Sequence, residues 1–462
     1  MKTDFTIYQS PFSWRYASNE MRTIFSEVHK RKTWRKVWIA LAKAQVKQGL
    51  ISKKELEDIE KYKNKIDIES AQKIEKDLKH DLMAEVRTFA SQAKIGGGKI
   101  HFGATSQDIE DNTDALIFLS AVNIIEQKIK KLLKIWAKKI EENKSLVCMA
   151  YTHLQPAEPT TLGYRFSSYA QDLMIDLELL KFVKGQIKGK GIKGAVGNSA
   201  SYVSILSGKA NRLEEDIMKD LGLEAFNVTT QVYPRKIDYF VLTLLASIAQ
   251  SLTKFAFDLR IMQSSPFGEL AEPFGHKQVG SSAMPFKRNP QNAERICSLA
   301  RYIASLTKVA WDNAANSLLE RTLDDSASRR LIIPDGFLAT DEILKVAVFI
   351  VKDLAINKKN IEKNLNLYGP FSALEAILLK STKKGANRQE MHEILRNHSI
   401  QVYDEMQKTG KNNLKKHIEG DKKILKFLTI EEIKDAANYK KYVGLAVAKS
   451  QQTTRKIRVI TK

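Results

Sequence analysis

With 462 residues, of which 43% are hydrophobic and 28% charged, the chain can bury a large core and is too long for one core of ordinary size. That excludes a disordered or low-complexity protein and favours two or three domains or one elongated helical body. A net charge of +22 admits either a nucleic-acid surface or a lysine-rich solvent face, and lysines spread along the whole chain favour the second.

The opening Met1-Lys2-Thr3-Asp4-Phe5 carries no apolar stretch of signal-peptide length, and no segment reads as membrane-spanning. Between Pro11 and Pro156 there is no proline, and prolines are sparse after Pro290, so very long helices are permitted. Gly96-Gly97-Gly98 lacks the Lys-Ser/Thr of a phosphate-cradling loop and reads as an interhelix turn, as does the stretch from Gly189 to Gly197. From Phe118 the apolar residues Val122, Ile125, Ile129, Leu132, Trp136 and Ile140 recur at helical steps. Between them Lys128, Lys130, Lys131, Lys134, Lys138 and Lys139 read as a solvated face.

The cysteines Cys148 and Cys297 are too few for a disulfide framework, which predicts buried thiols and a cytoplasmic protein. Val241, Leu245, Ile248, Leu252, Phe255 and Leu259 alternate steps of four and three, the seam of a bundle or coiled coil. Further breaks are predicted from Ser264 to Pro290 and at Gly369-Pro370, and lysine-rich turns such as Lys408 to Asn412 mark a small C-terminal domain. Alternating β-type patterns are nearly absent. The expectation is an all-α chain of three domains: residues 1–105, a central long-helix bundle over 106–357, and 358–462.

Chemistry concentrates in Gly280-Ser281-Ser282-Ala283-Met284-Pro285-Phe286-Lys287-Arg288-Asn289-Pro290. A Gly-Ser pair is most often a connection whose hydroxyls cap a helix. Here a lysine, an asparagine, two hydroxyls and two prolines combine mobility at one end with rigidity at the other, as a substrate lid requires. His153, before Pro156, is alone a structural histidine, and Glu294 alone a surface carboxylate. His80, in Lys79-His80-Asp81, is by itself a capped or exposed histidine. The segment from Glu320 to Arg330 holds Arg321, Ser326, Arg329 and Arg330 beside Asp324 and Asp325. It reads either as ion pairs along a helix or as a guanidinium and hydroxyl grip on phosphate.

Gly-Ser-Ser-x-Met-Pro-x-Lys-x-Asn-Pro is similar to the signature of the fumarase, aspartase and argininosuccinate lyase superfamily, and Thr152-His153-Leu154-Gln155-Pro156-Ala157 resembles a second segment of it. The resemblance implies elimination of fumarate from a succinyl-bearing substrate. Ser281 would remove a proton from carbon beside a carboxylate, and His153, oriented by Glu294, would protonate the leaving amine. A neutral serine is a poor base, so its alkoxide needs support from Lys287 and loop N–H groups, while Lys287 and Asn289 hold the carbanion's charge.

Five further segments, from Ser13-Trp14-Arg15-Tyr16 to the arginine-rich stretch at Arg330, resemble the adenylosuccinate lyase family, the match running from about Ser10 to about Thr340. This implies substrate contacts at Arg15, Tyr16, Lys79, His80, Asp81, Thr105, Ser106, Gln231, Asn289, Arg295, Arg321, Ser326 and Arg330. Lys79 stands where the family often has arginine, and Ser328 where asparagine is frequent. The family further implies a homotetramer with active sites shared between subunits, anionic purine-nucleotide substrates, and no metal, organic cofactor, nucleic acid or membrane. The rival readings are another lyase or cycloisomerase of the superfamily, separated by phosphate recognition, and a basic helical scaffold that binds RNA without chemistry.

Overall fold

The computed structural model describes residues 5–462; Met1 to Asp4, the start of the N-terminal stretch read above, lie outside them. Helices dominate, and two antiparallel pairs of short strands are the sheets found among the described residues. The chain divides into two compact units: Met1–Ile129, Asp176–Gln250 and Ser298–Lys345 form the first, and Lys130–Ile175, Ser251–Cys297 and Val346–Lys462 the second. Each division between them falls inside a long helix: Ser106–Asn143, Leu162–Gln186, Lys236–Gln263, Gln291–Ala315 or Asp324–Lys352.

These helices follow the apolar periodicity. Val122, Ile125, Ile129, Leu132 and Ile140 are buried in the Ser106–Asn143 helix, as are Val241, Leu245, Ile248, Leu252, Phe255 and Leu259 in the Lys236–Gln263 helix. Each such side chain contributes about 1.5–3 kcal/mol of transfer free energy. The Lys236–Gln263 helix is, by length and composition, apolar enough to cross a membrane, which corrects the expectation that no segment qualifies. More than half of it is buried inside the protein, as in a core helix.

Three further expectations need correction. Lys128 is not simply solvated: its ammonium bonds the Asp341 carboxylate and the Ser18 hydroxyl. Gly369-Pro370 does not break the chain, because the Lys358–Lys383 helix runs through it. Proline removes a single N–H donor there, and Gly369 lies against the Tyr439 ring, so packing outweighs the local penalty. Strands also occur where no alternation announced them, in the hairpin Val147–Thr152 and Gln155–Thr161.

In the first unit, Arg31 and Arg35 of the Glu27–Lys47 helix converge on the buried Glu85 carboxylate at 2.8 and 2.7 Å. That ties the helix to Asp81–Gln92, whose first residue is a candidate site residue. Removing one partner of such a buried cluster costs roughly 3–5 kcal/mol. In the second unit, Ile377, Met391, Leu395, Val402, Ile418, Ile424 and Ile433 belong to one C-terminal core.

Candidate active site

His153 occupies the turn of the hairpin, between the paired residues Thr152 and Gln155. His153 and Leu154 have φ of +54° and +60°, so both adopt the left-handed conformation of a type I′ turn. Asn-Gly suits that turn, whereas His-Leu stores of order 1–3 kcal/mol of strain per residue. The strand leading to it is clamped from below. Tyr151 donates its hydroxyl to the buried Glu269 carboxylate at 3.2 Å, and Arg165 pairs with Glu269 at 3.5 Å while donating to the Met149 carbonyl. Burial first, and then Glu269, push the Tyr151 hydroxyl well above its ordinary pKa, so it stays a donor. Overdetermined strands thus present an exposed imidazole on a strained turn.

The loop from Gly280 to Pro290 closes on itself. The Gly280 carbonyl accepts from the Asn289 side-chain amide at 2.9 Å and the Gln291 amide at 3.3 Å. A Cβ at Gly280 would stand 2.0 Å from the Lys287 carbonyl oxygen, so only glycine permits this approach. Within the clasp, the Met284 N–H donates to Ser281 Oγ at 3.1 Å. The loop's far end is fixed by Glu272, which accepts from the Asn292 and Ala293 N–H groups at 3.1 Å and so caps the Gln291–Ala315 helix. Burial pushes the Glu272 carboxyl up, against those donors. Gln263 joins both ends, donating to the Arg288 carbonyl and accepting from the Glu272 N–H, each at 3.0 Å.

In the first unit, Asp81, Arg321, Ser326 and Arg330 line one cavity of about 230 Å³ with Arg329 and Glu110. That is below the roughly 300–1,000 Å³ of a complete small-molecule site, so it accepts part of a nucleotide-sized ligand. Arg330, exposed, pairs with Asp81 at 2.8 Å. Burial would raise the Asp81 carboxyl, but the Arg330 guanidinium outweighs it and holds the group below its usual range. Arg321 pairs with Asp325 at 2.7 Å, and Arg235 holds the other oxygen of Asp325 at 2.7 Å. Arg329 is spent on structure, bonded to Asp238 at 2.6 Å and Asp114 at 2.9 Å. The i,i+4 ion pair and the presented guanidinium therefore coexist in this segment.

The remaining candidates of that unit lie on defined supports. Lys79 ends the Ile68–Leu78 helix with φ +55°, and His80 precedes Asp81–Gln92, its Nε2 3.4 Å from Ser106 Oγ. The Thr105 N–H caps back to Asp108 at 2.9 Å, and the Gln231 N–H reaches the Glu320 carbonyl at 3.1 Å, next to Arg321. Arg15 lies 5.7 and 5.9 Å from the Trp14 and Tyr16 ring centres and does not line the cavity.

In the second unit, no hydrogen bond among the described residues joins His153, Ser281, Lys287 and Glu294 to one another. His153, Lys287 and Glu294 are exposed, and Arg295 is half-buried just past the first turn of its helix. Sequence reasoning missed Arg165, Gln263, Glu269 and Glu272. The only hint was a pair of glutamates, Glu269 and Glu272, just before the loop. Among the described residues no group of three His, Cys, Asp or Glu side chains could hold a metal ion. The free thiols of Cys148 and Cys297 are buried, and burial pushes Cys148 up to about 11.

Two family profiles match the chain: that of a lyase family over residues 14–304, and that of the adenylosuccinate lyase C-terminus over residues 370–452. The adenylosuccinate lyase of Schistosoma mansoni is 40% identical over 417 residues, 89% of this chain and 86% of that protein. The chain belongs to the adenylosuccinate lyase family. The adenylosuccinate lyase of Methanocaldococcus jannaschii is 39% identical over 440 residues, 94% of this chain and 93% of the other. That of Saccharomyces cerevisiae is 38% identical over 418 residues, 89% and 86% of the two chains. Among solved structures, a fumarate lyase from Mesorhizobium sp. BNC1 superposes with a TM-score of 0.85 at 22% identity, covering 97% of this chain and 99% of that one. A 3-carboxy-cis,cis-muconate lactonizing enzyme from Pseudomonas putida gives 0.86 at 21% identity, covering 98% and 100%. At such identity these two structures speak for the all-α fold alone.

Proposed function

We propose that the chain is an adenylosuccinate lyase, eliminating fumarate from adenylosuccinate to give AMP, and from the succinyl-aminoimidazole-carboxamide ribotide to give the aminoimidazole carboxamide ribotide. Ser281 takes the proton from carbon beside a succinyl carboxylate. The carbanion's charge spreads into that carboxylate, where Lys287 and Asn289 hold it, and His153 protonates the departing exocyclic amine. The observation that carries the mechanism is the Gly280 clasp, which leaves Ser281 Oγ 3.1 Å from the Met284 N–H. A preorganised donor of that kind stabilises an alkoxide in a way bulk water does not.

The phosphate end falls to Arg321, Ser326 and Arg330, with Arg15, Tyr16, Lys79, His80, Thr105, Ser106, Gln231 and Arg295 as further substrate contacts. On binding, phosphate competes with Asp81 for the exposed Arg330 guanidinium. The working form is a homotetramer in the cytoplasm. Supporting that reading, Phe182, Phe257, Trp311, Leu331 and Phe349 are exposed on the long helices of the single chain. Among the described residues no side-chain hydrogen bond or ion pair holds His153 or Glu294, which supports a site completed by neighbours from another copy.

The test is an absorbance assay with purified protein and adenylosuccinate, in which AMP and fumarate should appear in equal amounts. No conversion would end the proposal. Mixing inactive Ser281→Ala and His153→Gln proteins should restore activity if sites are shared, and failure to do so would count against sharing.

A further inference from the structure

An anion-binding cavity that contains carboxylates has to neutralise them, and in the first unit all but one are neutralised by cations. Asp81 has Arg330 at 2.8 Å, Asp114 has Arg329 at 2.9 Å, and Asp111, which acts on the cavity electrostatically, has Arg235 at 3.0 Å. At the cavity's edge Glu27 pairs with Lys30 at 2.7 Å. Arg330 reaches Glu110 only electrostatically, and among the described residues Glu110 forms no ion pair. Its Oε2 accepts from the Gln107 amide at 2.6 Å, and its Oε1 has no hydrogen-bond partner among the described residues.

The side chain is half-buried and lines the same cavity as Arg321, Ser326 and Arg330. Burial first, then Asp81, Asp114 and Asp111, with Arg330 opposing, push the Glu110 carboxyl up to about 8. Near neutral pH the group therefore carries a proton. Gln107 already supplies the hydrogen at Oε2, so that proton resides on Oε1, the oxygen left open to a ligand.

We propose that Glu110 is a specificity-determining residue of the nucleotide subsite: as a neutral carboxyl it donates from Oε1 to a phosphate oxygen held by Arg321, Ser326 and Arg330. This rests on the lyase reading above. Ionised, Glu110 would withdraw the donor and set a negative charge against a dianion.

The experiment measures kcat/KM for adenylosuccinate and, by calorimetry, AMP affinity between about pH 6.5 and 9.5. The phosphate's own second ionisation lies near pH 6 and creates no limb in the alkaline range. In the unaltered enzyme both quantities should fall above about pH 8, approaching tenfold per pH unit as one proton is lost. Glu110→Gln keeps an N–H donor of the same shape that does not titrate. It should weaken AMP binding by about two- to fivefold at pH 7, the loss of one favourable hydrogen bond's geometry, and abolish the alkaline limb.

An alkaline limb that persists in Glu110→Gln overturns the proposal. If that variant does not fold, Gln107→Leu serves instead, because losing a donor to the anion favours the neutral form and should move the limb to higher pH. A limb that stays in place there also overturns it. An unaltered protein that releases no fumarate and binds no AMP would instead overturn the lyase reading, which keeps the two failures distinct.

Discussion

Replacing Gly280 by alanine tests whether the loop's self-closure serves the reaction. The added Cβ would stand 2.0 Å from the Lys287 carbonyl oxygen, 3.1 Å from the Lys287 carbonyl carbon and 3.2 Å from Arg288 Cα. All three are backbone atoms, so no side chain can swing aside, and the strands of the clasp must part by about 1 Å to restore a tolerable contact. Parting loosens the two amide hydrogen bonds that Asn289 and Gln291 make to the Gly280 carbonyl, each worth about 0.5–1.5 kcal/mol.

A shift of that size at a reacting group costs on the order of 100-fold in rate. The loop is largely exposed and contributes little to the core, so the thermal midpoint should drop by only a few degrees. The expected result for Gly280→Ala is thus kcat for fumarate release reduced about 100-fold, with near-normal AMP binding and melting. Full activity with unchanged melting would refute the claim that the clasp positions Ser281.

Other substitutions separate the supports from the chemistry. Glu272→Ala strips the cap from the Gln291–Ala315 helix and leaves the Asn292 and Ala293 N–H groups unsatisfied, costing about 1–3 kcal/mol, which calorimetric melting would reveal. Arg330→Ala removes a charged hydrogen bond worth about 1.5–3 kcal/mol, so KM for adenylosuccinate should rise about 10- to 100-fold; an unchanged KM would defeat the phosphate assignment.

Glu158, on the strand after His153, is pushed up to about 7, chiefly by its hydrogen bond to Glu375, which itself takes the Tyr442 hydroxyl at 2.8 Å. A raised carboxyl binds its proton more tightly in the folded state, so its stabilisation is full below the ordinary value of 4.5 and lost as pH rises through about 7. Glu375 is lowered and acts in the opposite sense, losing its stabilisation as pH falls. Glu158→Gln should therefore flatten the decline of the melting midpoint between about pH 4.5 and 7, and an unaltered slope would speak against a shared proton.

Much of the fold was legible because a buried helix face writes itself into three- and four-residue steps, as from Phe118 to Ile140 and from Val241 to Leu259. The hairpin was not legible. Gln155–Thr161 carries two prolines and neither strand alternates cleanly, and the pair is held by Tyr151 and Arg165 on Glu269, a partner more than 100 residues away in sequence. Pro370 misled for a related reason, since a local helix penalty yields to tertiary packing.

Ser281, His153 and Arg330 could be singled out because dense polar motifs and family resemblance converge on them. Glu110, Glu269 and Glu272 could not. A glutamate's role depends on whether a cation, an amide or another acid faces it, and that is decided by residues distant in sequence. The orientation of His153 by Glu294 likewise finds no counterpart within one chain, where no hydrogen bond joins them among the described residues.

The central claim is that Ser281 removes the proton, and the most direct measurement is the single-turnover rate of fumarate release from adenylosuccinate by Ser281→Ala. Loss of a general base predicts a fall of about 10²- to 10⁴-fold, with AMP affinity essentially retained. A single-turnover rate close to that of the unaltered enzyme would contradict the assignment.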